Sequence, residues 1–373
     1  MKVLHVINSL DIGGAETLLK EALPLYLERD VQCDVLVLRK SSSNYEQLLK
    51  AQGINVFYSK VKQIYSPLQI VYISKFLTEN HYDIVHSHLF PSQYWVSVAR
   101  KFSSNKQLKL VTTEHNTSNG RRGKKPFYYM DKYIYRGYEK IICISEGTEK
   151  ELHSWVKETS VKSHIIENGI NIEKFKESRP LRKEELVPNY KDGDILIVMT
   201  ARLTEQKDHT TVIEAAVGLP TNYHILFVGD GEKRSEYEKM VKEKNIEQRV
   251  HFLGMRSDVD QIMKTCDAFV LSSHFEGFGL VAVEAMASGL PVIASNVTGL
   301  AEVVGDAGVL FNQGNAEELR ESIINICENN KLKNEYVTKG TVQAEKYSIN
   351  HFIAQHISLY QDLSFPVNNT VER

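Results

Sequence analysis

The chain has 373 residues, 42% hydrophobic and 25% charged, with a formal net charge of −2. That composition fits a soluble globular protein of about two domains, and the near-neutral balance excludes the global basic field expected of a nucleic-acid binder. Cys33, Cys143, Cys266 and Cys327 are scattered without a CxxC pair, which excludes a disulfide frame or zinc-cysteine site and reads as reduced thiols in a cytoplasmic protein.

The opening MKVLHVINSLDIGGAE lacks the form of a signal peptide, because His5 and Asn8 break its apolar run. No stretch reaches about 18 consecutive apolar residues, so no spanning helix is expected. Val3 to Ile7 reads as a buried strand and Ala15 to Leu27 as a helix. Further strands are expected at Cys33 to Leu38, Asn55 to Tyr58, Ile84 to Ser87, Leu108 to Thr113, Ile141 to Ile144 and Lys162 to Ile166. These runs are apolar on both faces and are separated by helix-length segments, the pattern of a parallel sheet covered on both sides.

Residues 173–194 (EKFKESRPLRKEELVPNYKDGD) are charged and hold two prolines, so they read as a linker after a first domain, 1–172. Alternation resumes with strands at Ile195 to Thr200, Tyr223 to Val228, Val250 to Leu253, Ala268 to Leu271, Val292 to Ala294 and Val309 to Phe311, then a helical tail from Ala316 to Leu363. The second domain is placed at 195–345. The fold class is α/β, with two Rossmann-like, doubly wound domains facing across a cleft. Ligands of such sheets bind at strand carboxyl ends, so functional residues are sought just after strands.

Three segments pass that filter. Gly13 and Gly14, in DIGGAE, follow the first strand and open a helix, which suits either close approach to an anion or a plain turn. The segment lacks GxGxxG, and the second strand ends in VLVLRK with no acidic residue for a ribose, which argues against a NAD oxidoreductase. In TARLTEQKDH, Arg202 and Lys207 are two cations that suit either neutralising a diphosphate or a plain solvated loop. In SSHFEGFGLVAVEAMASGLPVIAS, Glu276 precedes the turn Gly277-Phe278-Gly279, and Glu284 lies inside a helix expected at Leu280 to Ser288, ended by Gly289. A glutamate with apolar flanks usually has a bound partner, and carboxylates suit paired hydroxyls.

EGFGLVAVEAMASGLPVIAS resembles the E-x7-E region of retaining glycosyltransferase family 4, the group-1 glycosyl transferases with the GT-B fold. ARLTEQKDH resembles that family's G-R-L-x-x-x-K-G segment, with Ala201 and Asp208 at the two glycine places. GGAE, ENGINIEKF and HFLGMRSDV also fit, in order, along essentially the whole chain.

The resemblance implies a nucleotide-sugar donor, UDP-linked, and a glycan or lipid-linked acceptor in cell-surface polysaccharide or glycolipid synthesis. Gly13 and Gly14 would lie near the donor, and Arg202 and Lys207 would bind its diphosphate with no metal or other cofactor required. Glu276 would meet the donor sugar and Glu284 the ribose. Backbone around Phe278, Gly279 and Leu280 would face the donor, and Gly254, Met255 and Arg256 would lie near the base. A histidine beside the transferred sugar is implied. His115 just past a strand end is favoured over His86 and His88, which read as packed histidines lacking a third ligand for a metal. The last residues, 346–373, would form a helix returning to the first domain. A UDP-sugar epimerase and a silent nucleotide- or carbohydrate-binding protein are the alternatives. The basic run GRRGKK, 120–125, reads either as contact with an anionic lipid-linked acceptor or an anionic membrane surface, or as a solvated cationic loop.

Overall fold

Runs apolar on both faces are stable only as the middle layer of a three-layer stack, and each run read as a strand forms one. The computed structural model describes residues 1–11, 13–41, 43–115 and 120–364. Contacts divide the chain into two units, one of Met1–Gly169 with the chain from Ile349 onward, the other Ile170–Ser348.

The first unit holds a seven-stranded parallel sheet. Its strands are β1 (Lys2–Ile7), β2 (Gln32–Val37), β3 (Asn55–Tyr58), β4 (Ile84–His88), β5 (Lys109–Glu114), β6 (Lys140–Cys143) and β7 (Ser163–Ile165), in the order β3-β2-β1-β4-β5-β6-β7. The second unit holds β8 (Ile195–Thr200), β9 (Tyr223–Val228), β10 (Val250–Gly254), β11 (Ala268–Leu271), β12 (Val292–Ser295) and β13 (Val309–Phe311), in the order β10-β9-β8-β11-β12-β13. Each sheet is wound outward in both directions from its first strand. The connections therefore diverge beside β1 and beside β8 and leave a crevice at the carboxyl ends of β1 and β4, and of β8 and β11.

Side-chain alternation fills both faces. On β1, Val3 and Ile7 enter one buried cluster, while Leu4 and Val6 enter the other. The first cluster is completed by the last described helix, Ile349–Ser364, through Ile349, Ile353 and Tyr360. That helix packs on the helix Gly14–Leu27, with the Tyr26 and Tyr360 rings 6.1 Å apart. Where the chain rejoins, a Cβ on Gly169 would stand 2.6 Å from the Ile349 Cα, so only glycine fits.

The segment expected as a linker is built into the second unit. It carries the short helices Ile172–Glu177 and Lys183–Leu186. Phe175, Leu186 and Val187 are buried, Ser178 Oγ donates to Asp260 at 2.7 Å, and Lys183 pairs with Asp267 at 3.2 Å. Its charge reflected one solvated side, while a few spaced apolar residues anchored the other. The division into units falls at Gly169/Ile170 and Ser348/Ile349, not at 172/173 and 345/346.

Ile353 is fully buried, so Ile353→Ala should cost roughly 2–5 kcal/mol of stability. Both tryptophans, Trp95 and Trp155, lie in the first unit. Urea unfolding followed by tryptophan fluorescence should therefore show a lowered midpoint, and an unchanged midpoint would contradict this packing.

Candidate functional site

In the second unit the site is built on the divergence between β8 and β11. After β8 the chain passes Arg202 and makes one 3-10 turn, Glu205–Lys207. Asp208 then takes left-handed backbone angles, φ 44° and ψ 50°, and caps the helix His209–Val217. Its carboxylate accepts from Thr211 Oγ1 at 2.7 Å and from Ser272 Oγ, just past β11, at 2.9 Å. Two further bonds join the same loops: His274 N donates to Gln206 O at 2.8 Å, and Gln206 Nε2 to Phe275 O at 3.0 Å.

This stitching brings Lys207 against Glu276. They form an ion pair whose side chains are only 16% and 13% exposed. Arg202 is exposed, and its guanidinium has no ion-pair partner among the described residues. Gly279 adopts φ +89° and leads into the helix Leu280–Ala287. Phe278 is buried edge-on against Tyr347, with centroids 5.2 Å apart, so it offers backbone alone, while Leu280 and Glu284 are half-buried. Gly289 ends this helix at φ +81°, as its sequence position implied.

Gly254 ends β10, and Met255 and Arg256 follow it, two strands from β8 and so roughly 10 Å to one side. The Gly254 carbonyl accepts from Gly229 N at 2.9 Å, Met255 is exposed, and Arg256 Nε donates to Asp258 at 2.7 Å. The charge of Arg256 is thus already answered, which leaves backbone and the Met255 side chain as the available groups.

Sequence reasoning missed Asp208 as a cap and Gly299 as a support. At Gly299, φ is +84°, and a Cβ would lie 2.5 Å from Glu276 O and 2.8 Å from Gly277 O. Asp208 stood where glycine was expected, and its left-handed angles are the reason either residue serves there. Nothing local in the sequence marked Gly299.

In the first unit, Gly13 is extended at φ −162° and precedes the helix Gly14–Leu27; open space surrounds the place of a Cβ on Gly14. A cavity of about 280 Å³ lies where β1, β4 and β5 end, lined among others by Asn8, Phe90, Gln93, Glu114, His115 and Arg121. Glu114, which the sequence did not single out, accepts from Gln93 Nε2 at 2.5 Å and from Tyr135 OH at 2.7 Å.

Half of the basic run turns inward. Arg121 lies 3.6 Å from Asp131 and over the Phe90 ring at 4.2 Å, and Arg122 lies 3.7 Å from Glu114. Lys124 and Lys125 are exposed. For Arg121 and Arg122 the reading as a solvated loop is corrected, because the carboxylates of Asp131 and Glu114 need buried partners. Residues 116–119 lie outside the described residues.

Beside this cavity five histidines cluster: His5, His86, His88, His115 and His356. His5 is in register with His86 across β1 and β4, and His88 with Thr113 across β4 and β5. His5 Nδ1 lies 3.0 Å from His88 Nε2, and His88 Nδ1 lies 3.3 Å from His115 Nε2. His86 bonds Tyr360 OH at 2.6 Å and Thr113 Oγ1 at 2.7 Å. Sequence reasoning found no third partner for His86 and His88; the fold supplies His5, with ligand atoms of the three within 4.8 Å of one another. Both nitrogens of His86 are engaged by Tyr360 and Thr113, and both of His88 by His5 and His115. Burial first, then repulsion between neighbouring imidazoles, pushes His5 down to about 3 and His86 and His88 well below the usual range. His115 is pushed down to about 4 by burial and by His356. All four are therefore neutral at pH 7, each ring with one donor and one acceptor.

The structure resembles HepE of Anabaena, solved with UDP and glucose: TM-score 0.83 and 21% identity, covering 97% of this chain and 100% of that one. The fold is therefore GT-B, two Rossmann-like domains. The model for Glycosyltransferase Family 4 matches residues 12–174, and that for Glycosyl transferases group 1 matches 182–343. The chain belongs to these group-1 glycosyltransferases of the GT-B class. Among its relatives is the UDP-Gal:α-D-GlcNAc-diphosphoundecaprenol α-1,3-galactosyltransferase of Escherichia coli, 30% identical over 62% of each chain. Another is the N-acetylgalactosamine-N,N'-diacetylbacillosaminyl-diphospho-undecaprenol 4-α-N-acetylgalactosaminyltransferase of Campylobacter jejuni, 24% identical over 91% of this chain and 94% of that one.

Gly299→Ala should push the Glu276 backbone aside and strain a positive-φ residue, costing roughly 1–3 kcal/mol. Titration with UDP should show weakened binding by this variant, while wild-type affinity would mean the Glu276 loop does not depend on Gly299.

Proposed function

We propose that this glycosyltransferase moves a hexosyl or N-acetylhexosaminyl group, with retention, from a UDP-sugar to a glycan or lipid-linked acceptor. The observation that carries the donor half is the Lys207–Glu276 pair at the β8–β11 divergence, beside the exposed Arg202. A shielded ammonium held only by one carboxylate is a ready partner for a diphosphate, which offers more charge and more acceptors. Arg202 supplies a second, bidentate cation. As the bond from the anomeric carbon to the diphosphate oxygen breaks, negative charge grows on that oxygen, and these fixed cations answer it without a metal.

Once Lys207 turns to phosphate, Glu276 is free to accept hydrogen bonds from sugar hydroxyls. Glu284, one turn into the helix Leu280–Ala287, reads the ribose, and the backbone N–H groups at Phe278, Gly279 and Leu280 face the donor. Gly254, Met255 and Arg256 flank the base mainly through backbone atoms. In the first unit, Gly13 and Gly14 give the donor close approach to a helix start, and His115 contacts the transferred sugar from the wall of the 280 Å³ cavity. Retention is supported by family membership, and the lipid-linked acceptor by the names of the two relatives. The implied setting is cell-surface polysaccharide or glycolipid synthesis, with the enzyme cytoplasmic and peripheral on the membrane.

No helix among the described residues is long and apolar enough to cross a membrane. Peripheral contact is assigned to the helix Lys125–Arg136, where Tyr129, Met130 and Tyr133 are exposed beside Lys124, Lys125 and Arg136. An apolar stripe flanked by cations suits an anionic bilayer surface.

Lys207→Ala and Glu284→Ala should each weaken UDP binding by more than about tenfold, roughly 1.4 kcal/mol. Isothermal titration with a panel of nucleoside diphosphates measures this and identifies the base; wild-type binding by both variants would remove the donor-site assignment. Exchanging Tyr129 and Tyr133 for Ser and Lys124 and Lys125 for Gln should abolish flotation with anionic vesicles. Retained flotation would discard the membrane contact.

A further inference from the structure

We propose that His88 is a positioning residue that orients His115 and sets its tautomer, within an unbroken chain of imidazoles that reaches back to His5. This rests on reading His115 as the residue beside the transferred sugar. The chain is short and continuous: His5 Nδ1 to His88 Nε2, 3.0 Å, then His88 Nδ1 to His115 Nε2, 3.3 Å. Its middle member has no freedom to turn. His88 is the last residue of β4 and is buried, its ring stacked on His5 at 5.4 Å and against His86 at 4.2 Å. His115, by contrast, stands just past β5, is half-buried, and lines the 280 Å³ cavity. A ring at a strand exit next to a ligand cavity needs a partner to hold its plane, and the described structure gives its Nε2 one such bond.

The chemistry of neutral imidazoles makes the coupling strict. Each ring has one N–H and one lone pair, so two bonds in series must run in the same direction. If His5 Nδ1–H donates to His88 Nε2, then His88 Nδ1–H donates to His115 Nε2, and His115 keeps its remaining proton on Nδ1. If the direction reverses, His115 Nδ1 carries a lone pair. The polar atom left on His115 thus follows from the direction of the bond that His88 makes to it. Burial keeps the rings neutral and the chain in one of these two states. In either state, a nitrogen held in one direction and one protonation form beside the cavity is a preorganised contact, with no reorganisation left for the moment of reaction.

Two substitutions separate this role from plain packing. In His88→Asn the side-chain polar atoms sit near the Nδ1 place and keep the bond to His115. In His88→Gln the terminal amide sits near the Nε2 place, keeping the bond to His5 and losing the one to His115. Long-range ¹⁵N–¹H NMR of the histidine rings in the intact chain reads the His115 tautomer directly and needs no substrate. Wild type and His88→Asn should show a single His115 tautomer, and His88→Gln a mixture. With UDP-glucose as probe donor, UDP release by His88→Gln should fall roughly 10- to 100-fold in kcat, with donor KM within about twofold and with His88→Asn close to wild type. Mixed tautomers in wild type, or equal behaviour of the two variants in the spectra, would overturn the proposal. Tautomers that respond as expected while UDP release stays equal in all three proteins would overturn the sugar-side reading of His115 and leave the imidazole chain standing.

Discussion

A parallel sheet buried on both faces leaves its polar chemistry only one place to emerge, the carboxyl ends of the strands where the connections diverge. Both sheets are wound from their first strand outward, so in each unit the divergence lies beside that strand. In the second unit it brings together loops from β8 and β11 that are 64 residues apart at Asp208 and Ser272. In the first it gathers the ends of β1, β4 and β5 around one cavity.

The two sites solve opposite electrostatic problems. At β8–β11 the side chains are charged, and the risk is an uncompensated charge in a partly shielded place. Pairing Lys207 with Glu276 removes that risk. Asp208 and Gly299 hold the loops so that the pair can form, one by capping a helix from a left-handed corner, the other by having no Cβ. At β1–β4–β5 the charges of Glu114, Arg121 and Arg122 are paired off. Five histidines are crowded there with no ion pair to a carboxylate among the described residues, and burial keeps them neutral. Their value there is direction of hydrogen bonding. Glu114, at the same strand end, is spent on Gln93, Tyr135 and Arg122 and serves the architecture of the cavity.

Thirteen strands and the helix Leu280–Ala287 were legible in the sequence because local pattern governs them: apolar runs of strand length, and a helix ended by glycine and proline. The linker misreading shows the limit of that signal. Charge density marks solvent on one side of a segment and says nothing of what lies beneath the other, where Phe175 and Leu186 are buried. The same limit applied to GRRGKK, whose two arginines find carboxylates that sequence distance conceals.

By itself, then, the sequence determined the fold class and the order of strands along the chain, because each is written in short-range spacing. The tertiary structure alone decided that Lys207 meets Glu276, that His5 stands behind His88 and His115, and that Gly299 supports a loop more than 20 residues before it. These are pairings across strands and loops distant in sequence. Their distances follow from sheet order and register, and no local pattern encodes either.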